Sequence, residues 1–306
     1  MTTSPTAPTK RDSLKRFAWL SIGAALATMG LKTGAWALTG SVGLLSDAVE
    51  SLVNLAGGVT ALAMLTISAR PADDDHHFGH GKAEYFASLT EGVLILVAAA
   101  AIAYQAIGRL LAPAPLDRLE FGLLISLVAS AINFFVSRTL MRAGREHRSI
   151  VLEADAAHLM TDVWTSAGVI VGVGLVALTG WQRFDPIVAL IIAANIVWTA
   201  IGLMRRSVDG LMDVALPAHE HDAIESVMTN YRGRGIAFHE LRTRQSAARR
   251  FVSVHMLVPG AWSVHDAHHV AEDFESDVRT ALGDATVVTH LEPIEDEISM
   301  HDGDAR

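Results

Sequence analysis

Six long apolar stretches, joined by short polar connections, fill most of the chain, and a different period follows them. The stretches run roughly Phe17–Leu38, Val42–Ser68, Tyr85–Leu111, Leu119–Met141, Ile150–Thr179 and Pro186–Met204. Each holds about 20 or more residues, enough for a helix to cross about 30 Å of hydrocarbon. The pattern predicts six membrane-spanning helices. Gly23, Gly30, Gly34, Gly57, Gly58, Gly168, Gly172 and Gly174 are small residues that let such helices approach closely. From about residue 210 the pattern shortens. Pro217–Tyr231 reads as a helix with proline near its first turn. Phe238–Thr243 and Arg250–Val258 read as strands joined by a turn at Gln245–Ala248. In the second strand Val252, Val254, Met256 and Val258 alternate with Phe251, Ser253, His255 and Leu257. Val264–Leu282 reads as a helix and Thr286–Leu291 as a last strand. The expected fold class is an all-α membrane domain of six helices plus a small α+β domain of order αββαβ.

Composition strengthens the membrane reading. Of 306 residues, 51% are hydrophobic and only 19% charged, with a mean hydropathy of +0.33, too apolar for an ordinary soluble protein. Charge then separates the two parts. Residues 1–209 carry 16 Lys+Arg and 16 Asp+Glu, whereas residues 210–306 carry 8 and 17, which accounts for the net charge of −9. No basic patch suggests nucleic acid. The expected organisation is a disordered N-terminal tail at 1–16, a six-span membrane domain at 17–209, a small soluble α+β domain at 210–294 (the metal-binding dimerisation domain of the resemblance given below) and a flexible acidic tail at 295–306. No secretory signal peptide is evident, and the first apolar stretch reads as an anchor that stays. With the N-terminus inside, twelve Lys/Arg fall in the inner segments and three (Arg109, Arg118, Arg183) in the outer ones. That asymmetry puts both termini in the cytoplasm.

Candidate chemistry lies where polar residues interrupt apolar sequence. Glu50 and Asn54 sit four apart in one stretch, and His158 and Asp162 four apart in another. Residues so spaced share a helix face. A carboxylate near a bilayer centre costs roughly 2.5–3.5 kcal/mol, so it usually marks an ion path or proton relay. Two such faces turned together offer four N and O ligands, with two carboxylates to balance one divalent ion. Metal and protons would compete there, because ligands must be deprotonated to bind. The competing reading is polar contact between helices or a helix cap. With no cysteine in the chain, thiolate ligands and disulfides are excluded, which favours Zn²⁺ or divalent iron, cobalt and manganese over Cu(I).

Two further sets lie outside the apolar stretches. Asp73, His76 and His80, between the second and third spans, are spaced to share one face of a turn or short helix. Three ligands with an open fourth position suit an exchangeable site; the alternative is a solvated acidic loop, with His77 a bystander. In the tail, His239 and His255 lie on adjacent expected strands, His265, His268 and His269 on a helix, and His290 and Glu292 on one face of the last strand. Their alternative is unpartnered surface histidine. Lys32 and Arg109 read as snorkelling or helix-end residues, and Asp47 as a further shell to Glu50 or a cap. Glu91 and Asp155 remain unassigned. The Trp residues read as interfacial or packing residues.

At these residues the chain resembles the cation diffusion facilitator family, and most of all its bacterial ferrous-iron/zinc efflux branch. The likeness covers about residues 14–294. It rests on Ser46-Asp47-Ala48-Val49-Glu50-Ser51-Leu52-Val53-Asn54, on Arg70-Pro71-Ala72-Asp73-Asp74 through Phe78-Gly79-His80-Gly81-Lys82-Ala83-Glu84, on Asp155-Ala156-Ala157-His158 to Asp162, and on His239-Glu240-Leu241-Arg242-Thr243-Arg244. The resemblance implies a homodimer in the bacterial inner membrane, six spans per subunit, a cytoplasmic metallochaperone-like domain, and export of divalent metal in exchange for protons. It implies a transport site of Glu50, Asn54, His158 and Asp162, and a loop site of Asp73, His76 and His80. It further implies a binuclear regulatory site of His239, His255, His268, His290 and Glu292, the last bridging, and a Lys82–Asp213 charge interlock at the dimer. The branch usually has Asp at the positions of Glu50, Asn54 and Glu292. Losing one carboxylate at Asn54 should weaken affinity and reduce proton exchange.

The resulting expectation is a proton-coupled exporter of Zn²⁺ working by alternating access, with Fe²⁺, Cd²⁺, Co²⁺ and Mn²⁺ as alternative cargoes. The competing classes are a membrane-embedded zinc hydrolase and a metal sensor that does not transport. No His-Glu-x-x-His pattern supports the first. A passive channel is disfavoured because a closed four-ligand site holds its ion too tightly for fast throughput.

Overall fold

A computed structural model describes residues 14–39, 42–112 and 120–300. The tail expected at 1–16 lies outside these residues up to residue 13 and the tail expected at 295–306 from residue 301 on, and the side chains of Asp47 and Glu50 lie outside them too. The chain divides into two compact units, residues 1–208 and 209–306.

The first unit is helical: α1 (Lys15–Thr39), α2 (Val42–Ser68), α3 (Ala83–Leu111), α4 (Glu120–His147), α5 (Ile150–Thr179) and α6 (Phe184–Leu211). Among the described residues four helical stretches are long and apolar enough to cross a membrane: Ala83–Leu111, Leu124–His147, Ile150–Val176 and Phe184–Leu211. The described apolar part of α2, Asn54–Ser68, is shorter. α6 continues to Leu211 instead of stopping near Met204, because Arg205, Arg206 and Asp209 are compatible with helix once the chain leaves apolar surroundings. α5 stops at Gly180, whose φ of 73° is the left-handed cap that glycine adopts without strain.

α5 lies at the centre of this unit and packs against α2, α3 and α4, while α1 packs against α2 and α4. Ala154 of α5 joins Ile95 and Ala99 of α3 and Ile196, Ala200 and Leu203 of α6 in one apolar cluster. The outward faces are apolar as well: Leu178 is 85% exposed and Trp198 80%. In water such surface would be a liability, but against lipid it is the ordinary condition. Of the glycines expected at helix contacts, Gly57, Gly58, Gly168 and Gly172 do abut neighbouring side chains, whereas Gly23, Gly30, Gly34 and Gly174 face open space. Buried Glu84 joins three helix ends, accepting from Ser149 Oγ at 2.7 Å and Ser68 Oγ at 3.3 Å. Arg109 pairs with Asp185 at 3.2 Å, and Lys32 is buried, not extended into solvent as a snorkelling residue would be.

The second unit contains α7 (Ala218–Arg232), β1 (Ala237–Ser246), β2 (Arg249–Val258), α8 (Val264–Leu282) and β3 (Ala285–Pro293). The sheet order is β1-β2-β3, with β1 antiparallel and β2–β3 parallel. Val252, Val254, Met256 and Val258 are the buried face of β2, as their alternation requires. They pack with Ile224, Met228 and Tyr231 of α7 and Ala271, Phe274 and Val278 of α8. Each large side chain fully buried there contributes about 1.5–3 kcal/mol. Pro217 precedes the first turn of α7, and Ser263 caps α8 by accepting from the Asp266 N–H. Both helices lie on one face, which leaves the other face of the sheet for histidines.

Candidate functional site

In the first unit α2 and α5 bring Asn54, His158 and Asp162 into direct contact. Asn54 donates through Nδ2 to Asp162 Oδ2 at 2.5 Å, and its Oδ1 lies 2.6 Å from His158 Nε2. The amide is thereby oriented: its donor faces the carboxylate and its acceptor the imidazole. Asn133 of α4 donates to the same Asp162 oxygen at 3.0 Å. Asn54 and His158 are buried and Asp162 half-buried. Glu50 lies one turn before Asn54 on α2, with its side chain outside the described residues.

A tetrahedral ion with bonds of about 2.0–2.1 Å sets its donors about 3.3 Å apart. Asn54 Oδ1 and His158 Nε2, at 2.6 Å, are closer than that by less than about 1 Å, whereas Asp162 meets the amide nitrogen and not its oxygen. The donor set, imidazole, amide and carboxylate, suits a divalent ion of intermediate hardness. Two residues not assigned from the sequence join this centre. Asn133 is one; nothing in its helical context distinguished it from a packing residue. Glu91 of α3 is the other, its Oε2 3.0 Å from His158 Nδ1.

The loop set forms on a turn, without a helix. Asp73 Oδ1 accepts from the backbone N–H of His76 at 2.8 Å and of Asp75 at 3.2 Å, and lies 3.3 Å from His76 Nδ1. Asp73 Oδ2 is 3.4 Å from His80 Nε2. Gly79, with φ of 78°, lets the chain turn back so that His76 and His80 face each other. Slight desolvation opposes it, but the His76 hydrogen bonds and nearby His80 hold Asp73 below its ordinary carboxylate value. The Pro71 carbonyl lies 3.2 Å from His80 Nδ1, which fixes the ring with Nε2 toward Asp73. His77 is exposed.

In the second unit strand register aligns the histidines. His239 is the register partner of His255, and His255 of His290, so the three lie side by side across β1, β2 and β3. Adjacent rings are 4.9 Å apart in both pairs. Buried Glu292 projects from the same face as His290. Its Oε2 meets His239 Nε2 at 2.8 Å, and its Oε1 meets His255 Nδ1 at 3.1 Å and His290 Nε2 at 3.4 Å. Ligand atoms of His239, His255 and Glu292 all fall within 4.8 Å of one another, as do those of Asp73, His76 and His80. Imidazoles around one shared carboxylate fit a zinc-like divalent ion. A break in the β1–β2 register follows His239, with Glu240 at φ 48°. Such a bulge turns a side chain toward a site, and no sequence signal disclosed it. His268 is exposed on α8, where its described ring neighbour is His269. Asp213 accepts from Arg244 of its own unit at 3.1 Å.

Known proteins share both units. Residues 18–212 match the cation efflux transmembrane domain and residues 216–294 the cation efflux protein cytoplasmic domain. An uncharacterized transporter, sll1263, of Synechocystis is 50% identical over 288 residues, covering 94% of this chain and 93% of its own. The cation-efflux pump FieF of Citrobacter koseri is 34% identical over 263 residues, covering 86% and 87%. A solved structure, the metal-bound C-terminal domain of the CzcD transporter from Thermotoga maritima, aligns with 26% of this chain and 92% of its own at 25% identity and a TM-score of 0.24. With domain matches over both units and near-full-length relatives, this chain belongs to the cation diffusion facilitator family, whose members are cation efflux transporters and not enzymes.

Proposed function

We propose that this protein is a proton-coupled exporter of divalent metal, with Zn²⁺ the preferred cargo and Fe²⁺, Cd²⁺, Co²⁺ or Mn²⁺ alternatives. Six helices span the membrane in this reading, both termini are cytoplasmic, and two copies form the working dimer. The ion binds among Glu50, Asn54, His158 and Asp162. The convergence of Asn54, His158 and Asp162 from two helices in a buried setting is the observation that carries the assignment. The imidazole, amide oxygen and carboxylate gathered there make a donor set that suits a divalent ion.

Transport then follows from competition. His158 Nε2 and the Asp162 carboxylate bind metal only when unprotonated. Protons arriving at the outward side take the same atoms and release the ion, and alternating access keeps the two exchanges on opposite sides. Asp73, His76 and His80 form an exchangeable loop site. His239, His255, His290 and Glu292 form a regulatory site whose occupancy stabilises the dimer; His268, on α8 across the sheet from them, does not join the set within one subunit. The deciding measurement is metal-driven proton flux in proteoliposomes. Asp162→Ala abolishes it under this reading, and undiminished flux would sink the site assignment.

A further inference from the structure

Glu91 sits on α3 with 1% of its surface exposed. Its Oε2 is 3.0 Å from His158 Nδ1, and among the described residues neither of its oxygens has any other hydrogen-bond partner. A buried carboxylate left in that condition is costly unless a positive charge stands beside it. Asp155 Oδ2 is buried and without a hydrogen-bond partner too, while its Oδ1 accepts from Ser21 at 3.0 Å. The side of His158 away from Asn54 is therefore negative, and nothing described neutralises it except the imidazole and whatever cation the imidazole holds.

We infer that Glu91 is a positioning residue for metal capture, holding the His158 ring by Nδ1 and supplying the negative charge that Asn54 does not. This rests on the transport-site reading above. His158 has one nitrogen toward Glu91 and the other toward Asn54 Oδ1, and Asn54 in turn touches Asp162. A proton kept on Nδ1 by the carboxylate leaves the Nε2 lone pair for a metal on the Asn54/Asp162 side. A carboxylate behind a metal-bound imidazole fixes the tautomer and makes the ligand more basic. With Glu50 and Asp162 as ligands in the reading above, Glu91 is a third carboxylate beside the site, where Asn54 offers only an uncharged amide. α2 is shaped to admit this carboxylate: a Cβ placed on Gly57, one turn after Asn54, would overlap Glu91 Oε1.

The test measures Zn²⁺ transport by the full-length protein in proteoliposomes, separating KM from kcat, with Zn²⁺ titration of the same preparations. Glu91→Gln keeps the size and removes the charge. It raises KM and the Zn²⁺ dissociation constant about 10–100-fold, with a smaller change in kcat. Adding Asn54→Asp to Glu91→Gln restores most of the lost affinity, since it returns one carboxylate to the site; a role limited to packing would not be rescued that way. Should Glu91→Gln fail to fold, Gly57→Ala displaces the carboxylate from the other helix and raises KM in the same manner. Wild-type affinity in Glu91→Gln overturns the inference, as does a folded Glu91→Gln that Asn54→Asp leaves unrescued. Asp162→Ala run in parallel isolates the premise: if Asp162→Ala still transports, the site reading has failed. If Asp162→Ala is dead and Glu91→Gln behaves as wild type, only the role of Glu91 has.

Discussion

The two histidine centres are built by opposite means. In the membrane unit, His158 meets Asn54 and Glu91 because three helices pack side by side, and among the described residues no backbone hydrogen bond between these helices fixes their offset. In the tail unit, His239, His255 and His290 are aligned by strand pairing itself. Helix packing is set by side-chain volume, so donors held that way can spread and re-form with small tilts. Strand register is set by the backbone ladder, so donors held that way stay put. The first arrangement suits an ion that must come and go, the second an ion that stays.

The sharpest challenge to this contrast pairs two histidines. His158→Ala should cut metal flux in proteoliposomes by about 100-fold or more, with the protein still folded. His255→Ala should leave flux within about tenfold, because under the proposed function it removes a ligand from a regulatory centre and not from the transport site. Equal losses would erase the distinction. Next in size, Glu292→Ala takes away the acceptor shared by His239, His255 and His290. Metal titration of the full-length protein, with Asp162→Ala present to silence the membrane site, should show tail affinity lowered about 10–100-fold. Asp73→Ala, at a solvent-exposed turn, should change transport less than about fivefold; a larger drop would make the loop a required station.

The smallest effect probes the rigidity of the tail core. Partial burial and the hydrogen bond to Asp277 at 2.8 Å push the Tyr231 hydroxyl up to about 12. Its folded value lies above the ordinary 10, so the neutral phenol stabilises the fold. That contribution is fully present below about pH 10 and is lost as pH rises toward 12. Asp277→Asn should lower the phenolate titration toward 10, read by ultraviolet absorbance. An unmoved titration would mean that the contact is not kept in solution.

Much of the architecture was legible because burial imposes periodicity. Helix α8 begins and ends where the apolar period does, at Val264 and Leu282, and β2 buries the alternating Val252, Val254, Met256 and Val258. The pairing of Asn54 with His158 and Asp162 was suggested by spacing, since residues four apart share a face. Glu91 and Asn133 were not legible in the same way. Each stands alone in its helix, and its role depends on which face of α3 or α4 meets α5, a tertiary fact. Gly57 carried a further hint, as a small residue where something large comes close. The turn of Glu240 to φ 48° beside His239 was hidden for another reason: glutamate has no preference for that conformation, so the surrounding sheet must impose it.

The parallel pairing of β2 with β3 has one more consequence. His255 and His290 face each other only in this register, and sliding β3 by a single residue would send His290 and Glu292 to the opposite face. A tail whose last strand has docked one place out therefore cannot form the shared carboxylate centre at all. Since an ion that binds only the correct pairing favours it by mass action, divalent metal would act on this domain as a proofreader of its own assembly.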